Sequence, residues 1–384
     1  MDVSRKVQPD LFPIKPENGR QSDNRCDIVS VGKRRDGGTR YWCLTHKADG
    51  TAKYGRPADT CRAAHIAPIS DDETLSLNVD DYAGGVALWG AVPPIYDTTR
   101  LPLDRGIHVH ARKDIDGKKN IDQTYRAVRL LGKALSKDGV LITEIDAIYY
   151  MVSAIYGFEV HYIPCTLCGY PHLDKDWFSV HPHRRHLCAG CGKHFRDDKV
   201  AIGNPVRAAQ DVLGMPRGRS TKATRKISIA QRDYPGGIQI WGSNPAIIWS
   251  ADKRAEEGIH LHLFSESSVD PIVDDTFDKV EIDGIELDPL MVRTFMAQSG
   301  LPHIAGRVHA LACTKCSAPA FDTGEASYTP STTRRCLECK GILSGSGRLR
   351  NVISNPMPAV LQKLEMLAVR SRQSHKLDLL PETI

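Results

Sequence analysis

The sequence predicts an α+β fold in which one unit occurs twice. Residues 82–110 and 234–262 share the pattern Y-x-G-G, then W-G, then a proline, then G-I-H-x-H, at a constant offset of 152 positions. Each copy continues into two C-x-x-C pairs, where the offset is 148 positions. We therefore expect two homologous units behind a small N-terminal region, each with a short sheet, a helix and a cysteine-rich appendage.

The recurrence predicts four parts in the chain of 384 residues. They are an N-terminal hairpin region (1–70), a first copy (71–206), a basic linker (207–231) and a second copy that ends in a helix (232–384). Copies of this length are usual for domains. The positive charges of the linker lie among Gly, Pro, Ser and Thr, and they include Arg217, Arg219 and Lys222.

Composition places the chain among ordinary globular proteins, because 41% of its residues are hydrophobic and 25% are charged. We find no run of about 18 apolar residues and no export signal, so a cytoplasmic protein without a membrane partner is expected. The net charge of +5 is a weak indication of a DNA or RNA partner.

The N-terminal region predicts a zinc site on a hairpin. Residues 28–31 and 40–42 alternate as strands do, and Asp36-Gly37-Gly38 is typical of the turn between them. Three cysteines and one histidine surround this hairpin, and they are Cys26, Cys43, His46 and Cys61. His65 is an alternative ligand to His46, and three buried thiols without a metal are the alternative to a zinc site.

The G-I-H-x-H segments predict strands that carry two imidazoles on one face, since side chains alternate along a strand. An acid follows four positions after the second histidine in each copy. The pattern is similar to the metal-binding strand of cupins, which implies a third histidine from a later strand, His161 or His309. A metal-dependent enzyme would then use His108, His110, Asp114, His260, His262 and Glu266. The alternative is that the histidines form hydrogen bonds within the sheet.

Helix signals frame the second half of each copy. Residues 142–155 predict a helix with Thr143 near its start, whereas a cupin has strands throughout. The acid pairs Glu144/Asp146 and Glu286/Asp288 open this helix in the two copies. The apolar spacing of 359–369 predicts a C-terminal helix.

The four C-x-x-C pairs predict two four-cysteine zinc cages, because each pair points two thiolates at one cation. The ligands are Cys165, Cys168, Cys188, Cys191, Cys313, Cys316, Cys336 and Cys339. About 165–196 and 313–342 resemble zinc-ribbon or treble-clef knuckles, so each unit is expected to carry a zinc-ribbon appendage. Four cysteines leave no open position, which favours a structural role. The second cage has Ser317 and Lys340 where the first has glycine after the second cysteine of each pair.

The loop between the cysteine pairs differs between the copies. The first copy has four histidines (172, 181, 183 and 186) with Trp177, Phe178, Arg184 and Arg185, whereas the second has no histidine there. The aromatic and basic side chains suit contacts with bases and phosphates, and the alternative is that Trp177 and Phe178 form the small core of the ribbon. A second metal on the run from His181 to His186 would need an acid or a cysteine from elsewhere.

For function, the sequence favours a zinc-binding tandem-repeat protein that acts as a non-catalytic nucleic-acid-binding or scaffolding component. We find no Walker A loop, G-x-S-x-G elbow, H-E-x-x-H helix or deaminase signature. The contact candidates are Trp177, Arg184, Arg185, Arg217, Arg219 and Lys222. A metal-dependent enzyme based on the H-x-H strands and a protein–protein interaction module are the alternatives.

Overall fold

The computed structural model describes residues 28–33, 39–43, 56–57, 74–90, 96–97, 106–114, 120–130, 140–188, 191–213, 221–242, 256–268, 270–345 and 347–378. This part of the chain mixes helices with short sheets, so it is an α+β protein. It divides into two compact units. The first unit holds the described residues up to 213 except 96–97, and the second holds 96–97 and those from 221 onward.

The N-terminal region contributes three strands, which are β1 (Ile28–Lys33), β2 (Thr39–Cys43) and β3 (Arg56–Pro57). β1 and β2 pair antiparallel, as the sequence predicts for this hairpin. The predicted zinc ligands Cys26, His46 and Cys61 lie outside the described residues, and of Cys43 the structure describes only the backbone.

The rest of the first unit contains nine strands and two α-helices within the described residues. They are β4 (Thr74–Leu77), β5 (Gly85–Gly90), β6 (Ile107–Arg112), β7 (Ile121–Tyr125), β8 (Ala127–Leu130), β9 (Leu141–Thr143), α1 (Glu144–Ile155), β10 (Val160–His161), β11 (His183–Leu187), β12 (His194–Gly203) and α2 (Val206–Leu213). Two three-stranded sheets, β4-β8-β9 and β5-β6-β7, precede the cysteine region.

The second unit begins with β13 (Thr221–Lys222), β14 (Lys226–Ile229), β15 (Gly237–Gly242), β16 (Glu256–Glu257), β17 (Ile259–Phe264), β18 (Val273–Phe277), β19 (Lys279–Ile282) and β20 (Ile285–Leu287). It continues with α3 (Pro289–Ser299), α4 (Pro302–Ala305), β21 (Val308–His309), β22 (Thr333–Arg335), β23 (Ile342–Ser344), β24 (Ile353–Ser354) and α5 (Met357–Asp378). Its sheets β14-β19-β20 and β15-β17-β18 have the strand orders found in the first unit.

The W-G dipeptide of both units is explained by a helix that packs on the strand carrying it. A Cβ atom added at Gly90 would lie 2.7 Å from Cγ1 of Ile148 on α1. At Gly242 it would lie 3.0 Å from Cα of Arg293 on α3. Glycine therefore permits the close approach of helix and sheet in each unit.

Helix α1 begins where the sequence predicts. The Thr143 side chain accepts a hydrogen bond from the Asp146 backbone N–H, and the Asp146 carboxylate accepts one from the Thr143 N–H, which is a capping box. In the second unit Asp288 is itself the N-cap of α3 and accepts from the N–H groups of Leu290 and Met291. An aspartate thus helps to cap the helix in both units, at the third position of α1 and as the N-cap of α3. The prediction that Glu286 also opens the helix is wrong, because Glu286 lies on β20.

The Asn-Pro step that closes each cysteine region holds three backbone groups together. The Asn204 N–H donates to the carbonyl of His161 at 2.9 Å, its Nδ2 donates to the carbonyl of Asp146, and its Oδ1 accepts from the Val206 N–H. Asn355 makes the corresponding bonds in the second unit, the last of them from the Met357 N–H at the start of α5. This cap explains why α5 starts at Met357, two residues before the predicted start.

One connection differs in length between the units. β19 and β20 are joined by Asp283-Gly284, both with positive φ (47° and 77°), as a two-residue hairpin turn requires. In the first unit, ten residues (131–140) separate β8 from β9. The pairing of these strands is antiparallel in both units.

Among the described helices, none combines the length and the apolar character that are needed to cross a membrane.

Candidate metal centres

The four-cysteine clusters bring their sulfur atoms together in both units. In the first, Sγ of Cys165 lies 4.0 Å from Sγ of Cys191, and Cys168 lies 3.5 Å from Cys188. The corresponding distances in the second are 3.6 and 3.7 Å, for Cys313–Cys339 and Cys316–Cys336. A zinc ion with Zn–S bonds of about 2.3 Å places tetrahedral sulfurs about 3.8 Å apart. Both quartets therefore suit a metal ion such as zinc and are consistent with zinc knuckles.

Each C-x-x-C pair forms the same tight turn. The residue after the second cysteine donates its N–H to the carbonyl of the first cysteine, from Gly169, Gly192, Ser317 and Lys340. All four residues have positive φ, between 59° and 73°. Ser317 and Lys340 thus adopt the conformation that glycine provides in the first unit, so the knuckle geometry is the same in both.

The two cages differ in their surroundings. Cys168 and Cys191 are partly buried, whereas Cys316 and Cys339 are exposed. Around the first cage lies a core that includes Ile163, Tyr170, Phe195 and Ala201. In the described part of the second unit, the corresponding core holds Leu343 and the partly buried Ala318 besides its cysteines.

Hydrogen bonds favour the thiolate form of one cysteine in each cage, whereas the pKa values of Cys165, Cys188 and Cys316 are raised. The Cys188 thiol donates to Cys168, which lowers the pKa of Cys168 to about 5. Backbone N–H groups of Lys315 and Cys316 point at Cys313 and lower its pKa to about 6. Thiolates are the form of cysteine that binds zinc.

The H-x-H strand of the first unit brings two imidazoles and a carboxylate together. Nε2 of His108 lies 2.8 Å from Nε2 of His110, and Oδ1 of Asp122 lies 3.3 and 3.2 Å from these two atoms. The β6–β7 register explains the group, because Asp122 is the cross-strand partner of His110 and Thr124 is that of His108. The other face of β6 buries Ile107, Val109 and Ala111, as alternation along a strand predicts.

The second unit repeats this arrangement on β17 and β18. Nε2 of His260 lies 3.0 Å from Nε2 of His262, and Oδ1 of Asp274 lies 3.5 and 3.2 Å from them. Asp274 is paired with His262 and Thr276 with His260. The three ligand-type atoms therefore have nearly the same separations in both units.

These separations match those of atoms that share one metal ion. With bonds of about 2.1 Å, neighbouring ligand atoms are about 3.0 Å apart in an octahedral site and about 3.4 Å apart in a tetrahedral one. The Nδ1 atoms of His108 and His260 lie 3.2 and 3.3 Å from the hydroxyls of Thr124 and Thr276. A polar partner on the second ring nitrogen is usual for metal-binding histidines, because it orients the ring.

The acids and later histidines that the sequence pattern suggests are not members of these groups within the described residues. Asp114 and Glu266 follow the strands, but the carboxylates beside the imidazoles are Asp122 and Asp274. His161 pairs instead with Glu159 at 2.8 Å. His309 pairs through its backbone with β24.

A signal for the missed acids was present in the sequence. Asp122 and Thr124 recur as Asp274 and Thr276 at the offset of 152 positions that relates the H-x-H segments. The sequence does not reveal which residue lies opposite each histidine, because that depends on strand register.

A further group of polar side chains is buried beside the first cage. Asp174 contacts three histidines: its Oδ1 lies 2.6 Å from Nε2 of His172 and 3.3 Å from Nε2 of His183, and its Oδ2 lies 3.4 Å from Nδ1 of His186. Burial by itself raises the pKa of Asp174, but its hydrogen bond with His172 and its contacts with His183 and His186 outweigh burial and lower that pKa well below its ordinary value. Burial likewise opposes protonation of His183, and Asp174 outweighs it, so the pKa of His183 is raised.

The second unit has an ion pair at the corresponding place. Nε of Arg334 donates a hydrogen bond to the carboxylate of Asp322 and lies 3.1 Å from each of its oxygens. Nη2 of Arg334 lies 3.0 Å from Oδ2 of Asp322. Each aspartate also accepts a backbone N–H, from Gly203 for Asp174 and from Ser354 for Asp322. The carboxylate has the same backbone partner in both units, and only its side-chain partners differ.

Several of the predicted nucleic-acid contacts are exposed. Trp177 and Phe178 are 48% and 49% exposed, and Trp177 stacks on His181 with ring centroids 3.7 Å apart. Arg184 and Arg185 on β11 are also exposed. Of the linker candidates, Lys222 is exposed on β13, while Arg217 and Arg219 lie outside the described residues.

Comparison with known proteins gave no relative. No protein-family model matches the chain, and neither the curated proteins nor the solved structures yielded a match.

Proposed function

We propose that this chain is a metal-dependent enzyme made of two duplicated units. Each unit combines a structural four-cysteine zinc site with an open His-His-Asp metal centre. The observation that carries the proposal is the convergence of three ligand-type atoms, 2.8–3.5 Å apart, with the same register and the same threonine partner in both units. Matching element order and strand pairing support the duplication.

The donor set suits a divalent transition metal. Imidazoles and a carboxylate bind zinc, iron and related ions, and three protein ligands leave positions for water or substrate. A bound ion would supply Lewis acidity and lower the pKa of a coordinated water. Thr124 and Thr276 orient the rings of His108 and His260 toward that ion.

The four-cysteine sites have a structural role in this proposal. Closed cages contribute folding free energy and leave no position for substrate. Because their ligands are thiolates, we place the protein in a reducing compartment such as the cytoplasm. The N-terminal set Cys26, Cys43, His46 and Cys61 remains a proposed third zinc site.

Metal content per chain tests the proposal. Elemental analysis of protein purified without added metal should show one metal equivalent per chain fewer in His108→Ala/His110→Ala than in the wild type. The same loss is expected for His260→Ala/His262→Ala. His161→Ala/His309→Ala is the matched control, because these histidines lie outside the groups, and it should change nothing. If neither of the two strand-histidine double variants changes the metal content, these histidines are structural and the non-catalytic interpretation is favoured.

A second measurement tests whether the centre is open. In cobalt-substituted protein, azide should change the visible spectrum of the wild type and should not change that of the protein lacking all four strand histidines. If azide leaves the wild-type spectrum unchanged, the centre is closed and the enzyme proposal fails.

The surface of Trp177, Phe178, Arg184 and Arg185 favours a second candidate function, binding of single-stranded nucleic acid. Half-exposed aromatic rings and two exposed arginines in the same loop suit base stacking and phosphate contacts. The second unit has Glu325 and Ala326 at the positions of Trp177 and Phe178. Both hypotheses are compatible, because the surface is separate in sequence from the strand histidines.

Fluorescence anisotropy with labelled single-stranded RNA and DNA tests this surface. Trp177→Ala/Arg184→Ala should weaken binding at least tenfold, given that one stacked base is worth about 1–3 kcal/mol. Glu325→Ala is the control in the other unit. Unchanged affinity, or no binding by the wild type, would favour a protein partner or a scaffold for this surface.

A further inference from the structure

The cluster of His172, Asp174, His183 and His186 lies outside both proposed kinds of metal site. From its geometry, we propose that these four residues bind an additional transition-metal ion, with zinc as the best match, in the first unit alone. The three buried members already have ligand-type atoms within 4.8 Å of one another. Asp174 lies between His172 and His183 in the same loop, and it supplies the acid that the run from His181 to His186 lacks.

Unused imidazole nitrogens are the first support. His186 is 1% exposed, yet neither of its ring nitrogens has a hydrogen-bond partner in the described part of the chain. Nδ1 of the buried His172 also has none there. Buried polar atoms are rarely left unsatisfied, so such nitrogens indicate a missing partner. Nδ1 of His186 lies 3.4 Å from Oδ2 of Asp174 but forms no hydrogen bond with it. A metal ion bound by both atoms would give the buried nitrogen a partner.

The second unit supplies the other support. There, the carboxylate of Asp322 is held by the permanent charge of Arg334. At the offset of 148 positions, His186 corresponds to Arg334, and His172 and His183 correspond to Ala320 and Ser331. A buried carboxylate needs a cation in either unit. A metal ion bound by the three imidazoles around Asp174 would supply that positive charge.

The donor types define the class of ion. Three nitrogens and one oxygen suit zinc, copper, iron or nickel rather than calcium or magnesium, which prefer oxygen ligands. Four protein ligands would close the site, and Phe195 packs against both His172 and His186. The ion would therefore stabilise the histidine-rich loop and hold the exposed surface of Trp177 and Phe178 in place.

A variant that copies the second unit tests the proposal. His172→Ala/His183→Ser/His186→Arg replaces the cluster with the residues found around Asp322, so the buried carboxylate keeps a cation. We expect one metal equivalent fewer than in the wild type, with an unchanged circular dichroism spectrum. The reciprocal variant Ala320→His/Ser331→His/Arg334→His should gain one equivalent. A triple variant that folds and retains the full metal content overturns the proposal.

Cadmium NMR of the wild type provides a test that does not depend on the triple variant folding. ¹¹³Cd bound by four sulfurs resonates far from ¹¹³Cd bound by nitrogen and oxygen. His183→Gln, at the least buried of the four positions, should shift or remove one nitrogen/oxygen resonance and leave the sulfur resonances in place. Because His108 and His260 are unchanged, this result is independent of the strand centres. If every resonance is the same in His183→Gln, His183 is not a ligand and the proposed four-residue site is overturned.

Discussion

The two cysteine cages have the same backbone but different buried charges beside them. In the first unit Asp174 contacts three histidines, and in the second Asp322 contacts one arginine. Both aspartates accept a backbone N–H from the strand that leads out of the cage, Gly203 or Ser354. The two units therefore share the carboxylate and its backbone partner and differ in the side chains that balance its charge.

The largest expected effect concerns the cages themselves. Cys336→Ser should remove the second zinc and unfold the knuckle around it, because little besides Leu343 is buried there in the described structure. Such a site contributes about 10–16 kcal/mol of metal-binding free energy. Cys188→Ser should also remove one zinc, but the core of Tyr170 and Phe195 should preserve part of the first knuckle.

Hydrogen exchange of residues 313–344 and 165–195 measures this difference. Complete loss of protection in the second knuckle and partial loss in the first is expected. Equal loss in the two would mean that the apolar core of the first cage contributes nothing on its own.

The next effect concerns the two aspartates. Arg334→Ala leaves the buried carboxylate of Asp322 without its cation and should lower the free energy of unfolding by about 3–5 kcal/mol. His186→Ala should cost less, because His172 and His183 still contact Asp174. Denaturant titration of the two variants measures both costs. The double variant Asp322→Asn/Arg334→Ala should recover part of the loss, and a double variant as unstable as Arg334→Ala alone would contradict this explanation.

The smallest effect concerns the turn residue after each cysteine pair. Lys340 has a φ of 59°, a conformation that costs a residue other than glycine about 1–2 kcal/mol. Lys340→Gly should therefore raise the stability of the second knuckle by about 1 kcal/mol. Gly192→Lys, at a φ of 71° in the first unit, should lower stability by a similar amount. Thermal unfolding of both variants checks the opposite signs, and shifts of the same sign would exclude backbone conformation as the cause.

Local sequence signals predicted much of the fold. The start of α1 at Thr143 follows from its capping residues, and the shared face of His108 and His110 follows from strand alternation. The proximity of the cage cysteines follows from their spacing. The C-terminal helix extends to Asp378, well beyond the predicted 359–369, because its polar residues continue a helix without continuing the apolar stripe.

The carboxylates of the sites could not be derived from local pattern. Asp122 approaches His110 only through the β6–β7 register, whereas Asp114 is nearer in sequence. Asp174 approaches His186 because its backbone N–H bonds to the carbonyl of Gly203, at the far end of β12. In both cases a long-range backbone pairing selects the partner, and such pairings are not encoded in residue spacing.

The β8–β9 connection is a suitable place for the insertion of another protein domain. Because Asp283-Gly284 joins the corresponding strands of the second unit, the ten residues 131–140 exceed what the hairpin needs. The two units thus differ in chain length at this point, while their histidine-bearing sheets have the same register. A fluorescent or affinity domain inserted there should leave the strand histidines in place.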